Sequence, residues 1–387
     1  MKQVITTENK PIKLWLEEIE PEALAQARNL ANLPFAYKHI AIMPDSHVGY
    51  GMPIGAVLAT KGVVVPNAIG VDIGCGMCAM RTDMKRITKP QLKKIMGIAR
   101  QLIPVGFDHH KARQDEALMP QQPYDTMKIV SREYGAALKQ IGTLGGGNHF
   151  IEIQKGSDGF IWVMIHSGSR NIGLQVANHF NKIARGLNEK YFSCVPKEMQ
   201  LAFLPVDSRE AKEYMDEMHY CIDFALANRQ FMMDRMIEAI TEVKGNFGHD
   251  EIINKSHNFA AWEHHFGTNV LVHRKGATRA YEGELGMIPG SQGTKSYIVR
   301  GLGNAESYKS CSHGAGRKMG RGKATRDLDL QAEIEFLNKQ GIVHGIRHKA
   351  DLEEAAGAYK DISVVMENQK DLVDIVVELQ PLAVIKG

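Results

Sequence analysis

The sequence predicts a mixed α/β (α+β) fold built as one large domain, residues 1–387. Apolar runs of strand length, at residues 54–65 and 160–166, share the chain with apolar residues at helical spacing between 209 and 243. No internal repeat, proline/serine-rich linker or break in composition divides the chain. Hydrophobic residues make up 44% of it, which suffices for a substantial core. We therefore expect one domain rather than two.

The individual elements follow from local signals. Pro21 begins a predicted helix over residues 21–33, because a proline in the first turn of a helix costs no hydrogen bond. From Arg209 to Val243 apolar residues recur every three or four positions, which predicts one long helix or a broken pair, with its methionines in the core. Residues 371–385 alternate in polarity and predict a final strand.

Composition excludes several classes of protein. No apolar run approaches the roughly 18–20 residues of a membrane helix, and the N-terminal segment MKQVITTENK lacks the pattern of a secretory signal. Five cysteines are an odd number for a disulfide scaffold and favour a reducing compartment. These features predict a cytoplasmic enzyme with no membrane partner.

Positive charge is concentrated in residues 295–326. This segment holds eight basic residues and one acidic residue, whereas the whole chain has a net charge of +3. Glycines, serines and a histidine interrupt the basic residues, which is typical of a polyanion-binding loop rather than of a solvated helix face. The chain has neither a G-x-x-x-x-G-K-[ST] nor a G-x-G-x-x-G motif, so a nucleotide must be bound by other means.

Candidate metal ligands lie in segments rich in glycine and small polar residues. Asp72 and Cys75 share the turn GVDIGCGM, His149 follows three glycines, His166 ends an apolar strand, and His257 follows NKS. Together they form a mixed oxygen, sulfur and nitrogen set for one or two divalent metals, although each histidine could equally be structural. By ligand type alone, thiolate and imidazole favour zinc.

Two cysteines leave other chemistry open. Cys75 and Cys78 have the spacing of a zinc or redox pair, but no second such pair is present. Cys311 could act as a nucleophile in the segment SCSHGAGR. The other candidate in that segment is His313, whose neutral imidazole can attack phosphorus, with Arg317 nearby to bind phosphate.

These motifs, in this order, resemble the RtcB family of RNA-splicing ligases over essentially the whole chain. They begin with TTENKPIKLW and continue through MPDSHVGYG, GVDIGCGM, GTLGGGNHFIEI, HSGSR, HRKGATRA, IPGSQGTKSYIVRGLGN, SCSHGAGR and AYKDI to the terminal VIKG. The resemblance implies a single RtcB-like domain in which helices surround β-sheets and a central cleft binds metal and nucleotide.

The resemblance also implies an activity. The family is GTP- and manganese-dependent and joins RNA 3'-phosphate or 2',3'-cyclic phosphate ends to 5'-hydroxyl ends. The reaction passes through a histidine–GMP intermediate and an RNA-ppG activated end, in tRNA splicing or RNA repair. Implied partners are RNA with broken or spliced ends and an archease-like activator.

The resemblance also implies a role for each residue of this chain that matches a functional position in the family's motifs. Two manganese ions, bridged by Cys75 and replacing the zinc suggested above, would be held by Asp72, Cys75, His149, His166 and His257. The guanylylated residue would be His313. The guanosine contacts would be Asn148, Glu152, Ser291, Ser296, Ala315, Gly316, Tyr359 and Lys386, and RNA phosphate would be bound by Arg170 and Arg317.

The chain departs from the family pattern at four positions. Asn171 follows HSGSR where glycine is usual, and asparagine is expected to tolerate a left-handed backbone there. Gln292 replaces a methionine, and Ser46 and Val48 vary the PDVHxG pattern. These departures bear on nucleotide and RNA-end preference.

Two other functional classes differ in testable ways. A manganese-dependent phosphoesterase or nuclease would use the same metals without covalent guanylylation. A metal-stabilised RNA-binding module would bind RNA with steep salt dependence and no turnover.

Overall fold

The computed structural model describes residues 1–387, with eight α-helices and seventeen strands. The helices, α1 to α8, are Pro21–Ala31, Lys89–Leu102, Lys128–Gln140, Arg170–Lys190, Arg209–Lys244, Arg321–Asp327, Leu330–Lys339 and Ile362–Glu367. The strands, β1 to β17, are Gln3–Ile5, Ile12–Leu14, Ala36–His47, Ile54–Thr60, Val63–Val64, Gly76–Arg81, Phe150–Gly156, Ile161–Ser167, Leu204–Pro205, Ile253–Ser256, Asn258–His265, Thr268–Lys275, Ala277–Arg279, Leu285–Ile288, Ser296–Gly301, Ser310–Ser312 and Val373–Lys386. None of the helices combines the length and apolar character needed to cross a membrane.

Most strands belong to two large sheets. One has six strands in the order β1-β2-β3-β4-β12-β11, and the other has seven in the order β10-β6-β8-β7-β17-β15-β14. Within them only β2 and β3 pair in parallel, so the sheets are essentially antiparallel. This arrangement confirms the predicted mixed fold and places it on the α+β side of that class.

Helices cover the sheets and complete the apolar cores. Helices α2 and α5 pack their apolar faces, including Ile95 and Met232, against strands β6, β7 and β8. Helix α1 packs Ala27 and Leu30 against the six-stranded sheet. Helices α3, α4 and α5 share a further core through Leu138, among others. The result is a pair of sheets held in fixed relation by helices.

The predicted elements are largely present, with one exception. Helix α5 is one unbroken helix of 36 residues, about 54 Å long, which begins where the Ser208 side chain accepts a hydrogen bond from the Ala211 N–H. Its Met218, Met232 and Met236 are buried as expected. The predicted strand over 54–65 was wrong in its continuity, because Gly62 adopts a left-handed φ of 71° that breaks it into β4 and β5.

At one point the chain passes from one sheet to the other through a single residue. Strand β10 of the seven-stranded sheet ends at Ser256, and strand β11 of the six-stranded sheet begins at Asn258. His257 alone lies between these two strands, so it is positioned by both sheets.

Candidate metal and nucleotide site

Five side chains from distant segments converge in the interior. Cys75 Sγ lies 3.4 Å from His149 Nε2 and 3.3 Å from His166 Nε2. His166 Nε2 lies 3.4 Å from His257 Nε2, and His149 Nε2 lies 3.1 Å from Asp72 Oδ2. The cysteine and the three histidines are buried, and Asp72 is half-buried. The structure therefore brings together all five residues that the sequence analysis singled out as metal ligands.

Strand register explains the convergence. Cys75 immediately precedes β6, His149 immediately precedes β7, and His166 is the penultimate residue of β8. Because these strands are antiparallel neighbours, His166 lies opposite both Phe150 and Met77. All three ligands therefore sit at the same end of the sheet, on rigid elements that hold them in place.

The chemistry of the cluster suits a divalent metal. Burial lowers the pKa of His166 and of His257 well below the usual range, which keeps both imidazoles neutral. The Nδ1–H of His166 donates to the Asn148 carbonyl (3.2 Å), which leaves Nε2 free as a ligand. Burial raises the pKa of the Cys75 thiol. A bound cation would lower this pKa again, because it stabilises the thiolate. The ligand atoms of Cys75, His149 and His166 lie within 4.8 Å of one another, so this group can bind a metal.

His313 adjoins the cluster and is held by a buried carboxylate. Its ring centroid lies 4.8 Å from that of His257. The Oδ2 atom of Asp45 accepts hydrogen bonds from His313 Nδ1 at 2.6 Å and from its backbone N–H at 3.0 Å. Since Nδ1 carries the proton of this bond, the lone pair of the neutral ring is on Nε2. His313 is therefore prepared to act as a nucleophile or metal ligand through Nε2.

No motif in the sequence assigned a role to Asp45. It lies in β3 and is completely buried. A carboxylate that directly follows the apolar run Ile40–Met43 and Pro44 is itself a signal, because a buried charge requires a partner. The partner, His313, lies 268 positions further along the chain and could not be named from the pattern.

A cavity of about 720 Å³ opens beside His313. Seven of the eight predicted guanosine contacts line it: Asn148, Glu152, Ser291, Ala315, Gly316, Tyr359 and Lys386. Ser296 does not line it. The Ser296 hydroxyl is buried and accepts a hydrogen bond from the Gly290 N–H at 3.2 Å, so it supports the turn that carries Ser291.

Two ionisable groups in the cavity wall have pKa values shifted in opposite directions. Burial raises the pKa of Glu152 to about 8. Burial also lowers the pKa of Lys386, whose Nζ donates to the Asn148 carbonyl at 3.3 Å. Opposed shifts of this kind, in one cavity, are typical of functional sites.

Glu354 organises the outer wall of the cavity and was missed by the sequence analysis. Its carboxylate accepts hydrogen bonds from Arg317 Nη1 (2.9 Å), Arg321 Nε (2.8 Å) and the Tyr359 hydroxyl. Gln292 lies against the same residue, because its Nε2 donates to the Glu354 carbonyl at 2.9 Å. Arg317 is thus fixed in the wall of the cavity. No sequence pattern distinguishes Glu354 from other acidic residues.

Arg170 lies on another side of the metal cluster. Its Nε donates to Thr143 Oγ1 (2.9 Å) and its Nη2 to the Gly106 carbonyl (2.6 Å). The left-handed backbone expected at Asn171 is instead at Arg170, with a φ of 58°, whereas Asn171 is helical. The Asn171 side chain donates to Glu133 at 3.1 Å, which gives it a structural role at the start of α4.

The cysteine alternatives lose support from the geometry. Cys78 packs in the apolar core, away from the ligand cluster, so it does not form a pair with Cys75. The Cys311 thiol is buried and donates to the Ser312 carbonyl at 3.4 Å. Burial raises the pKa of the Cys311 thiol, which opposes formation of a nucleophilic thiolate.

The basic segment is partly neutralised within the fold. Lys295 pairs with Glu378, Arg317 and Arg321 with Glu354, and Lys323 with Asp327. No ion pair is formed by Arg300, Lys309, Lys318 or Arg326. Lys318 also lines the cavity, so an unpaired positive charge is available where a phosphate would enter.

The fold and the site together define a candidate metalloenzyme. A nucleotide-sized cavity lies beside a histidine whose ring is oriented by a buried carboxylate. The family model described as "tRNA-splicing ligase RtcB" matches residues 26–134 and 115–387. The chain is 36% identical to the RNA-splicing ligase RtcB of Escherichia coli over 409 residues, which cover 100% of this chain and 99% of that protein.

Archaeal relatives give the same result. Identity to the tRNA-splicing ligase RtcB of Thermococcus kodakarensis is 32% over 444 residues, covering 95% of this chain and 92% of that protein. Identity to the tRNA-splicing ligase RtcB of Archaeoglobus fulgidus is 32% over 449 residues, covering 96% and 92%. The chain therefore belongs to the RtcB family of RNA-splicing ligases, as its motifs predicted.

Proposed function

We propose that this protein is a GTP-dependent RNA ligase that joins RNA 3'-phosphate or 2',3'-cyclic phosphate ends to 5'-hydroxyl ends. Family membership supports the RNA ligase class. The observation that carries the chemistry is the position of His313, which faces a 720 Å³ cavity, is oriented by Asp45 and adjoins the thiol–imidazole cluster. The same family membership favours a ligase over a phosphoesterase.

The first step is guanylylation of His313. Its Nε2 lone pair attacks the α-phosphorus of GTP, forming an N–P bond while the P–O bond to pyrophosphate breaks. The ring becomes positively charged, and the Asp45 carboxylate, 2.6 Å from Nδ1, stabilises that charge. Burial of Asp45 keeps its carboxylate oxygen directed at the histidine.

Two further transfers complete ligation. An oxygen of the RNA 3'-phosphate attacks the histidine-bound phosphorus, and the electron pair of the N–P bond returns to Nε2. This gives the RNA-ppG end. The 5'-hydroxyl of the second RNA then attacks the RNA phosphate, loses its proton and displaces GMP. A cyclic phosphate is first opened by water.

Two manganese ions would be held by the ligand set of Asp72, Cys75, His149, His166 and His257. The neutral imidazoles and buried thiol fit such a site. When bound, the metals neutralise the charge of the phosphates and orient them for in-line displacement.

The proposed ligand contacts divide between the two sides of the cluster. Guanosine would be bound by the cavity residues Asn148, Glu152, Ser291, Ala315, Gly316, Tyr359 and Lys386, with Ser296 supporting Ser291 from behind. Arg170 and Arg317 would bind RNA phosphate. Arg317 would do so from the wall of the cavity, where Glu354 holds it.

The biological setting is part of the proposal. We propose a single RtcB-like domain, residues 1–387, that acts in the cytoplasm on RNA ends produced by tRNA splicing or RNA damage. An archease-like protein is the proposed activator. These assignments follow from the family resemblance.

Mass spectrometry after incubation with GTP and Mn²⁺ tests the central step. Wild type should gain the mass of one GMP, mapped to His313, and the adduct should be absent from His313→Ala. His264→Ala, a change at an exposed histidine, is the matched control and should retain the adduct. Bound Mn²⁺ without any adduct would reject the ligase mechanism and favour a phosphoesterase.

A further inference from the structure

Two consecutive residues of α5, Asn228 and Arg229, contact the segments that carry the metal ligands. Both side chains are completely buried. They lie near the middle of this 36-residue helix. Neither residue faces the nucleotide cavity, so neither has a role in the chemistry described above.

Arg229 joins three of these segments. Its Nη1 donates to the carbonyls of Gly74 and Ser167, both at 2.9 Å. Its Nε donates to Asn254 Oδ1 at 2.7 Å and its Nη2 to Ser256 Oγ at 3.3 Å. Gly74 directly precedes Cys75, Ser167 directly follows His166, and Ser256 directly precedes His257, with Asn254 two residues before Ser256. One guanidinium therefore sets the relative positions of three ligands.

Asn228 links the segment that precedes His149 to the segment that follows His166. Its Oδ1 accepts hydrogen bonds from the Gly142 N–H (2.7 Å) and the Thr143 N–H (3.2 Å), at the start of the loop that leads to His149. Its Nδ2 donates to the Gly168 carbonyl at 3.1 Å and to Ser167 Oγ at 3.3 Å, just after His166. The turn that precedes Cys75 also packs on this helix, because a Cβ on Gly74 would lie 2.9 Å from the Ile222 Cα.

The charge of Arg229 makes this arrangement unusual. All four of its hydrogen bonds go to carbonyl, amide or hydroxyl oxygens, and none goes to a carboxylate. An arginine cannot lose its proton in a protein, and burying a charge that no carboxylate contacts is costly. An apolar residue would fill the core at lower cost. What the guanidinium offers instead is a fork of donors that bonds four oxygens of separate segments at once.

We propose that the Asn228–Arg229 pair is the positioning element of the metal centre. It holds the segments bearing Cys75, His149, His166 and His257 in the ligating arrangement from behind, and thereby sets metal affinity without touching metal, nucleotide or RNA. This inference rests on the proposed metal centre. Residues that orient ligands in this way typically change metal affinity 10- to 100-fold when removed.

The test compares Mn²⁺ binding by isothermal titration calorimetry in wild type, Arg229→Gln and Arg229→Lys. Both variants should bind Mn²⁺ roughly 10- to 100-fold more weakly. Lysine should not restore affinity, because one ammonium group cannot reach all four oxygens at once. Arg235→Gln, at a half-buried residue six positions further along α5 that pairs with Glu238, is the matched control and should bind as wild type does.

A spectroscopic readout separates positioning from general destabilisation. In the Co²⁺-loaded protein, the thiolate-to-cobalt charge-transfer band should weaken in Arg229→Gln, because Cys75 is displaced. Guanylylation of His313 should recover at saturating Mn²⁺, which loss of folded protein would prevent. Wild-type Mn²⁺ affinity in folded Arg229→Gln would overturn the inference.

A milder change keeps the inference testable if the Arg229 variants do not fold. Ser256→Ala removes one of the four acceptors of Arg229, together with a hydrogen bond from the serine hydroxyl to the Gly74 carbonyl at 3.1 Å. It should weaken Mn²⁺ binding severalfold, and unchanged affinity would again overturn the inference. Failure of the wild type itself to bind Mn²⁺ would instead reject the proposed metal centre.

Discussion

The Oδ2 atom of Asp45 accepts two hydrogen bonds from one residue, His313, through the ring Nδ1 at 2.6 Å and the backbone N–H at 3.0 Å. The two residues are 268 positions apart in the chain. This contact fixes the ring plane and tautomer together, and it leaves Nε2 as the nucleophilic nitrogen.

Asp45→Asn should slow guanylylation of His313 by about 10²- to 10⁴-fold. An asparagine can present its NH₂ group to Nδ1, which favours the tautomer with the proton on Nε2 and removes the nucleophilic lone pair. The rate of labelling by radioactive GTP measures the effect. Asp125→Asn, at an exposed position, should label at the wild-type rate, and equal rates for both variants would contradict the assigned role of Asp45.

Cys75→Ala should abolish tight Mn²⁺ binding, whereas Cys78→Ala should retain it. Cys75 Sγ lies within 3.4 Å of two imidazole nitrogens, but Cys78 packs among apolar side chains. Metal content after gel filtration, measured by inductively coupled plasma mass spectrometry, distinguishes the two. Loss of metal from both variants would revive the paired-cysteine interpretation, provided that Cys78→Ala remains folded.

Gly168→Ala should weaken metal binding by roughly 10- to 100-fold. A Cβ at this position would lie 2.1 Å from Asp72 Oδ1, so the carboxylate must move out of the ligand cluster. Calorimetric titration with Mn²⁺ measures the change.

Gly186→Ala is the matched control, since an added Cβ there meets no atom within 4 Å and the residue lies inside α4. It should leave Mn²⁺ affinity unchanged and raise the free energy of unfolding by about 0.5–1 kcal/mol. If Gly168→Ala binds Mn²⁺ as tightly as Gly186→Ala does, Asp72 is not a ligand.

Glu152→Gln should remove a pH-dependent loss of stability. Burial raises the pKa of Glu152 to about 8, so the folded protein retains a proton that the unfolded chain releases above its ordinary pKa of 4.5. The wild type should therefore lose stability, relative to Glu152→Gln, as the pH rises from 4.5 to 8. The free energy of unfolding of the wild type, relative to that of Glu152→Gln, should fall by at most about 1.4 kcal/mol per pH unit.

Chemical denaturation of the metal-free protein at several pH values measures this difference. Glu251→Gln, an exposed change, should follow the wild type at every pH. A constant offset between wild type and Glu152→Gln would show that Glu152 is ionised throughout this range.

Much of this protein could be predicted from its sequence alone. The mixed fold, the long helix α5 and the family followed from local periodicity and from motifs in fixed order, because these depend on neighbouring residues. The candidate ligands were recognisable for the same reason, since glycine-rich turns and strand ends mark His149 and His166 individually.

Only the tertiary structure decided which of these residues meet and what supports them. Antiparallel register places His149 and His166 beside Cys75. Asp45, Glu354 and the Asn228–Arg229 pair act through partners far along the chain, and no local pattern encodes such contacts. A sequence shows which side chains suit a given chemistry, but side-chain orientation and burial arise only when distant segments pack.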